Sequence, residues 1–339
     1  MVLMNDVNGL LAAWRSLSGL KTSEGWLTIP IIFNGSCRLL AGRRFPGNEE
    51  VLLVGFNAIC VPSAHHLPQG LGFEVCKALL GQENGAYEWV ALCRQSAGSL
   101  ELFTMMANDI ISSLTVNNLT GDERLLHGFL SRIRAWQEFM QRGKEKLLSP
   151  EAEIGLFGEL KILEGIIAVG LPAIFVVESW EGPLGGMHDF KIGTGAIEVK
   201  STISVSGFKA RISSLDQLDN LLVQPLFLAA VRLALNNTGH TLPEIIAVLR
   251  DILCNDLEAL NIFNSRLIYA GFLDDMSENY TRSFQHVETR ILSVTDQFQK
   301  LTRGNVGMNI IAARYELELN LVNDGEVPLV DALQQLKII

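Results

Sequence analysis

The stretch His188-Asp189-Phe190-Lys191-Ile192-Gly193-Thr194-Gly195-Ala196-Ile197-Glu198-Val199-Lys200-Ser201-Thr202 decides the reading of this 339-residue chain. It reads as two short strands joined by a glycine-bounded turn, with an aspartate on the first and a Glu-x-Lys on the second. Side chains alternate faces along a strand, so Glu198 and Lys200 point one way and Val199 the other. A two-residue turn with glycine first, Gly193-Thr194, is a favoured hairpin connection. It sets Ile192 opposite Gly195 and, three steps back, Asp189 opposite Glu198. Two carboxylates and an ammonium then converge on one face, where the like charges repel unless a cation lies between them. Mg²⁺ suits that place: one or two carboxylates hold it while waters and phosphate oxygens complete its shell, as in a site that cleaves phosphodiesters. The plainer alternative is an exposed edge ribbon with a cross-strand salt bridge.

Upstream, Ser149-Pro150-Glu151 marks a helix start, with Ser149 as cap, Pro150 in the first turn and acids near the positive end of the dipole. The helix is expected to run to about Val169 and to stop at Gly170-Leu171-Pro172. At about 100° per residue, Glu159 falls inside the apolar arc of Leu156, Leu160, Leu163 and Ile167, and an inward carboxylate needs a partner. A metal ion or the hairpin lysine would serve; a glutamate reaching from the helix edge to water is the alternative. Phe175-Val176-Val177 reads as a strand. The loop 182–186 is glycine-rich but has no lysine or hydroxyl at Walker spacing, so it is not read as a nucleotide cradle. Downstream, residues 213–222 read as a helix whose Gln217 either faces the cleft, touching phosphate or water, or sits on a solvated surface.

Nine positions separate Asp189 from Glu198, and around them stand three further blocks: Gly155-Leu156-Phe157-Gly158-Glu159-Leu160, Trp180-Glu181-Gly182-Pro183 and Ser213-Ser214-Leu215-Asp216-Gln217-Leu218. Together these residues resemble the PD-(D/E)XK nuclease superfamily, and within it a prokaryotic PD-(D/E)XK motif family met beside methylases and helicases in phage-defence and restriction loci. The resemblance covers roughly residues 148–320. His188 stands where the superfamily name has proline, which leaves the carboxylates untouched. The resemblance implies a Mg²⁺-dependent endonuclease acting on DNA, with Mn²⁺ able to substitute. Asp189, Glu198 and the backbone carbonyl of Val199 are then metal ligands, Lys200 positions or deprotonates the attacking water, and Glu159 and Gln217 complete the catalytic set. Methylase- or helicase-type defence proteins are the partners it suggests; a homodimer is one alternative, and the sequence leaves the oligomeric state open. The rival reading is an inactive DNA-binding or scaffolding subunit that keeps the fold.

Composition sets the remaining bounds. Hydrophobic residues make up 48% and charged residues 19% of the chain, which describes a globular protein with a sizeable core. The apolar run Ile166–Val177 is broken by Gly170 and Pro172 and falls short of the ~20 residues a spanning helix needs, so no membrane segment is expected. Five cysteines lack a C-x-x-C pair, and no basic, apolar leader opens the chain; free thiols in the cytoplasm are expected. The net charge of −10 departs from the basic excess usual in proteins that grip nucleic acid. Either the acid hides a local basic surface or a partner supplies the grip.

The fold class expected is α/β (α+β). An N-terminal, mostly antiparallel β domain spans residues 1–120, with an opening helix over 6–18 and strand-like segments at 26–33, 37–41, 51–56, 73–79 and 89–93. A helix over 122–144 dominates a connector at 121–147. A restriction-endonuclease-like mixed sheet flanked by helices fills 148–339, with strands at 225–235, 285–294 and 310–321 and helices at 243–253 and 259–270. His65-His66 lack a third ligand at metal spacing and read as a solvated loop. His286 and Arg290 lie on a strand with no nucleophile to serve.

Overall fold

The computed structural model describes residues 2–3, 7–19, 22, 24–32, 37–57, 61–62, 67–70, 72–81, 87–116, 122–141 and 147–339. The chain divides into two compact units, Met1–Lys144 and Glu145–Ile339. The pair His65-His66 and Cys60 lie outside the described residues.

The first unit is built on strands β1 (Val2–Leu3), β2 (Gly25–Ile32), β3 (Arg38–Phe45), β4 (Glu49–Asn57), β5 (Phe73–Ala78) and β6 (Tyr87–Arg94), in the order β1-β2-β3-β4-β6-β5. Every pairing except β1 with β2 is antiparallel. Central β4 is buried from Glu50 to Phe56, and its apolar run from Val51 onward is that of a strand covered on both faces. Helix α1 (Val7–Ser18) buries Leu10, Ala13, Trp14 and Leu17, and Trp14 Nε1 donates to the Val51 carbonyl at 3.0 Å. Helices α2 (Leu100–Val116) and α3 (Asp122–Gln141) pack together, and Asp109 of α2 accepts from both Arg132 and Trp136 of α3. The helix expected as a connector thus packs within the first unit.

In the second unit, α4 (Pro150–Ala168) and α5 (Ala173–Ser179) precede β7 (Phe190–Ile192), β8 (Gly195–Thr202), β9 (Lys209–Ile212) and β10 (Leu226–His240). Then come α6 (Leu242–Leu253), α7 (Leu257–Ala270), β11 (Phe284–Ser293), β12 (Tyr315–Glu318), β13 (Glu326–Val327) and α8 (Leu329–Gln335). Five strands form a mixed sheet ordered β13-β11-β10-β8-β7, in which β8 and β10 run parallel and the other neighbours antiparallel. One face, with Ile197, Val199, Phe227 and Ala229, buries itself against α4, α6 and α7. The other, with Ala196, Leu228 and Ala230, packs on Phe208, Ala210 and Ile212 of and beside β9, which pairs with β12 as a separate ribbon. The chain is therefore α/β, with the helix-flanked mixed sheet expected.

Three local expectations are corrected. Phe175-Val176-Val177 is not a strand but lies in α5, where packing on α4 and α7 outweighs the sub-kilocalorie preference of valine for strands. Residues 213–222 form successive turns and no helix. Gln217 Oε1 accepts from Ser213 N at 2.9 Å and Asp219 Oδ1 from Leu221 N at 3.0 Å, giving the backbone local partners that compete with a helical ladder. The strand expected at 310–321 shrinks to β12, followed by a 3₁₀ turn at Leu319–Leu321. Cysteine burial is also mixed: Cys37 and Cys93 are buried, Cys76 is half-buried and Cys254 is exposed, all as free thiols.

Candidate active site

The hairpin has the register its turn demands: Phe190 faces Ile197, Lys191 faces Ala196 and Ile192 faces Gly195. Gly193 takes φ +60°, open to glycine and costly for other residues at the first turn position. The ladder with β7 ends at the Phe190–Ile197 pair, so the next outward N–H on that edge of β8, that of Val199, needs another acceptor. Asp189 supplies it, Oδ2 accepting at 2.6 Å. The N–H and C=O of one strand residue project to the same edge, so the Val199 carbonyl also lies on the Asp189 side.

Glu198 is 2% exposed, on the face of β8 opposite Ile197 and Val199. Its Oε1 accepts from Lys200 Nζ at 2.6 Å and from Gln217 Nε2 at 2.5 Å. The Gln217 amide is held at one end by Ser213 and grips the carboxylate at the other, so it faces the site and not a solvated helix surface. Buried His188 places Nε2 3.2 Å from the Gln217 carbonyl, and burial holds its pKa below the ordinary value.

Glu159 turns inward from α4 as the helical arc requires, and Trp180 Nε1 donates to its Oε2 at 2.7 Å. The cap that starts this helix is the expected one, Ser149 accepting from Ala152 N at 3.2 Å. Between Glu159 and Asp189 lies Gly182. A Cβ there would sit 2.9 Å from Asp189 Oδ1 and 2.9 Å from Glu159 Oε2, so the missing side chain keeps a small cradle open between two carboxylates.

Burial raises all three carboxyls. It is the largest cause for Glu198, pushed up to about 8, with the Asp189 charge adding and Lys200 and Gln217 opposing. Glu159 is raised well above its ordinary value by burial and then by Asp189. Asp189 is raised by burial, against the Val199 N–H and Lys200. The group is short of positive charge: buried Glu198 and half-buried Glu159 and Asp189 face one lysine.

A divalent cation fits this donor set. Among the described residues no three His, Cys, Asp or Glu side chains close into a cage. Mg²⁺ needs no cage, since it keeps several waters and takes one or two carboxylates in an oxygen-only shell. Asp189, Glu198 and the Val199 carbonyl are oxygen donors at one sheet edge, and the open Gly182 position leaves room beside them.

Trp180, Gly182 and His188 are site residues that no motif reading singled out by role. Two of them stood in the quoted Trp-Glu-Gly-Pro block, but both meet Glu159, more than twenty residues away, and only the fold shows it.

A mixed sheet flanked by helices, with an aspartate before and a Glu-x-Lys within its short edge hairpin, is the PD-(D/E)XK arrangement. The chain belongs to the family described as "Putative PD-(D/E)XK family member, (DUF4420)", whose match spans residues 10–320 and so takes in both units. Proteins of this superfamily are in general nucleases that use divalent metals. No curated protein and no solved structure matches the chain. No helix among the described residues is long and apolar enough to cross a membrane.

Proposed function

We propose that this protein is a Mg²⁺-dependent endonuclease that hydrolyses phosphodiester bonds in DNA. The observation that carries the reading is the meeting of Asp189, Glu198 and Lys200 at the open end of β7, with Glu159 beside them across the Gly182 gap. Asp189, Glu198 and the Val199 carbonyl would hold the cation. When bound, it polarises the scissile phosphate and lowers the pKa of a water. Lys200, freed from its pairing with Glu198, positions or deprotonates the attacking water and offsets charge that builds on the phosphate. Gln217 orients Glu198, and Trp180 orients Glu159. His188, whose pKa burial lowers, serves to hold the Gln217 turn. A place in restriction and phage defence, beside methylase- or helicase-type proteins, follows from the resemblance alone.

One observation favours the rival, a DNA-binding subunit without catalysis. Glu198 Oε1 is already met by both Lys200 and Gln217, a self-satisfied salt bridge that needs no metal. Calorimetric titration of Mg²⁺ or Mn²⁺ into wild type and Glu198→Ala, with nicking of supercoiled plasmid by both, separates the two. The nuclease reading expects binding and nicking in wild type and neither in the variant, with nicking down at least about a thousandfold. A wild type that binds DNA but takes up no metal and cuts nothing overturns it in favour of the subunit.

A further inference from the structure

The segment 297–315, between β11 and β12, takes no part in the chemistry above and differs in character from the rest of the chain. It carries Lys300, Arg303 and Arg314 and no Asp or Glu, in a protein of net charge −10. Apolar side chains project from it: Met308, Ile310 and Ile311 are 102%, 46% and 82% exposed. Scattered exposed apolar residues are ordinary, whereas three within four positions, bracketed by cations, form a feature.

Nor is the segment a slack connection. The Tyr315 hydroxyl accepts from Leu301 N at 3.1 Å and donates to the Leu301 carbonyl at 3.3 Å, closing the two ends. Inside, Asn305 Oδ1 accepts from Thr302 N at 2.7 Å, Asn305 Nδ2 donates to the Lys300 carbonyl at 2.8 Å, and Ile310 N donates to the Gly307 carbonyl at 2.8 Å. Closed ends and internal bonding make this an Ω-loop, built to present its tip. It is also joined to the site. Arg303 Nε and Nη2 donate to the two Asp216 oxygens at 2.6 and 3.1 Å, and the next residue, Gln217, grips Glu198.

We propose that this loop is a duplex-DNA wedge, a reading that rests on the nuclease function. Met308, Ile310 and Ile311 enter a base step from the minor groove, while Arg314 faces a flanking phosphate and Arg303, held by Asp216, fixes the loop. Aliphatic wedges between base steps bend a duplex and bring more of it onto the protein. Their cost, the loss of stacking, falls where the Arg314 guanidinium recovers electrostatic attraction. The loop brings an exposed cation, Arg314, to a chain that is acidic as a whole. Its joint to Gln217 places the bend beside the carboxylates that would act on the backbone.

The test uses the full chain as wild type, Met308→Ser with Ile311→Ser, Arg314→Gln, and Glu198→Gln. Binding to a short fluorescein-labelled duplex is read in EDTA by anisotropy, unstacking by an internal 2-aminopurine, and cleavage by plasmid nicking with Mg²⁺. The proposal expects the double serine variant to lose about tenfold in affinity together with the 2-aminopurine signal, at unchanged melting temperature. Arg314→Gln should lower the slope of log affinity against log salt by about one. Glu198→Gln should bind and unstack as wild type does while failing to nick. A wild type that nicks, beside a serine variant with unaltered affinity and 2-aminopurine signal, overturns the wedge and leaves the nuclease standing. The same unaltered binding, with a dimer in wild type that becomes a monomer in the variant, assigns the loop to a second copy of the chain instead. A wild type that neither binds duplex nor nicks overturns both readings.

Discussion

Buried charge is handled in opposite ways at two clusters, one in each unit. In the first, Glu50 lies between two guanidiniums, 3.0 Å from Arg43 and 2.6 Å from Arg94. Those arginines have further acceptors of their own: Arg43 donates to the Trp14 and Asn48 carbonyls, Arg94 to that of Gly98. Positive charge is in excess there and every group has somewhere to donate. In the second unit three carboxyls share one ammonium and all three are pushed toward protonation. A chain able to neutralise a buried carboxylate so fully in one place leaves the other short of cation. That difference sets a cluster that has room for a cation apart from a closed brace.

The comparison breaks if removing a carboxylate has the same effect in both places. Glu198→Gln should leave folding intact and, without metal, raise stability, because it removes a charge that burial and Asp189 both oppose. The sign follows from linkage. Glu198 has a folded pKa of about 8 against an ordinary 4.5, so between these values the folded protein binds more protons than the unfolded chain. Its contribution is fully present at low pH and is lost as pH rises toward 8. Urea midpoints in EDTA should therefore fall across that range for wild type and fall less for the variant, while Mg²⁺ restores the wild type only. Glu50→Gln should instead cost about 3 kcal/mol at neutral pH, since it strips the shared partner from two largely buried arginines. Equal losses from the two substitutions would dissolve the distinction.

Much of the site was legible because hairpin and helix geometry are local. The Gly193-Thr194 turn and the alternation of faces placed Glu198 and Lys200, and the helical step turned Glu159 inward, whereas Asp189 lies just beyond the ladder and bonds Val199 N instead of pairing with Glu198. What escaped depends on residues distant in sequence. Nothing near Glu159 announces Trp180 as its donor, and the aliphatic residues of α5 carry a strand's composition until α4 and α7 enclose them. Gln217 was noticed for its type, but its true contact required the turn that Ser213 and Asp219 impose. The segment 310–314 alternates too weakly to be a strand and closes the Tyr315 loop instead.

Close helix-to-sheet approach sharpens the contrast from another side. A Cβ on Gly158 would stand 1.8 Å from Ser201 Oγ and 3.0 Å from Ser201 Cβ, so α4 rests directly on β8. Ser201 Oγ is buried with no hydrogen-bond partner, a poor neighbour for anything larger than glycine. Alanine in a helix is worth up to about 1 kcal/mol over glycine, yet overpacking of this kind costs about 1–3 kcal/mol. Gly158→Ala should therefore destabilise by about 1–2 kcal/mol and weaken Mg²⁺ binding, because the retreating helix carries Glu159 away from Asp189. Adding Ser201→Gly should restore metal affinity more completely than stability, since glycine weakens a strand. A Gly158→Ala protein with unchanged melting and metal affinity would mean that α4 and β8 are not held this tightly.

The smallest effect concerns Gln217, a positioning residue that acts through Glu198. Its amide lowers the Glu198 pKa, against burial and the Asp189 charge that raise it. Gln217→Ala should leave the melting temperature unchanged, since the turn that carries it is half-exposed, and lower kcat by about tenfold. The telling readout is the pH profile. Without that hydrogen bond Glu198 holds its proton to higher pH, so the acid limb of the Mg²⁺-dependent rate should move upward, and the pH at which metal binds should move with it. Gln217→Glu should move both further by adding a like charge. An unshifted acid limb with a tenfold lower rate would make Gln217 a contact to substrate, and an unshifted limb with an unchanged rate would reduce it to a fastening for the 213–222 turns.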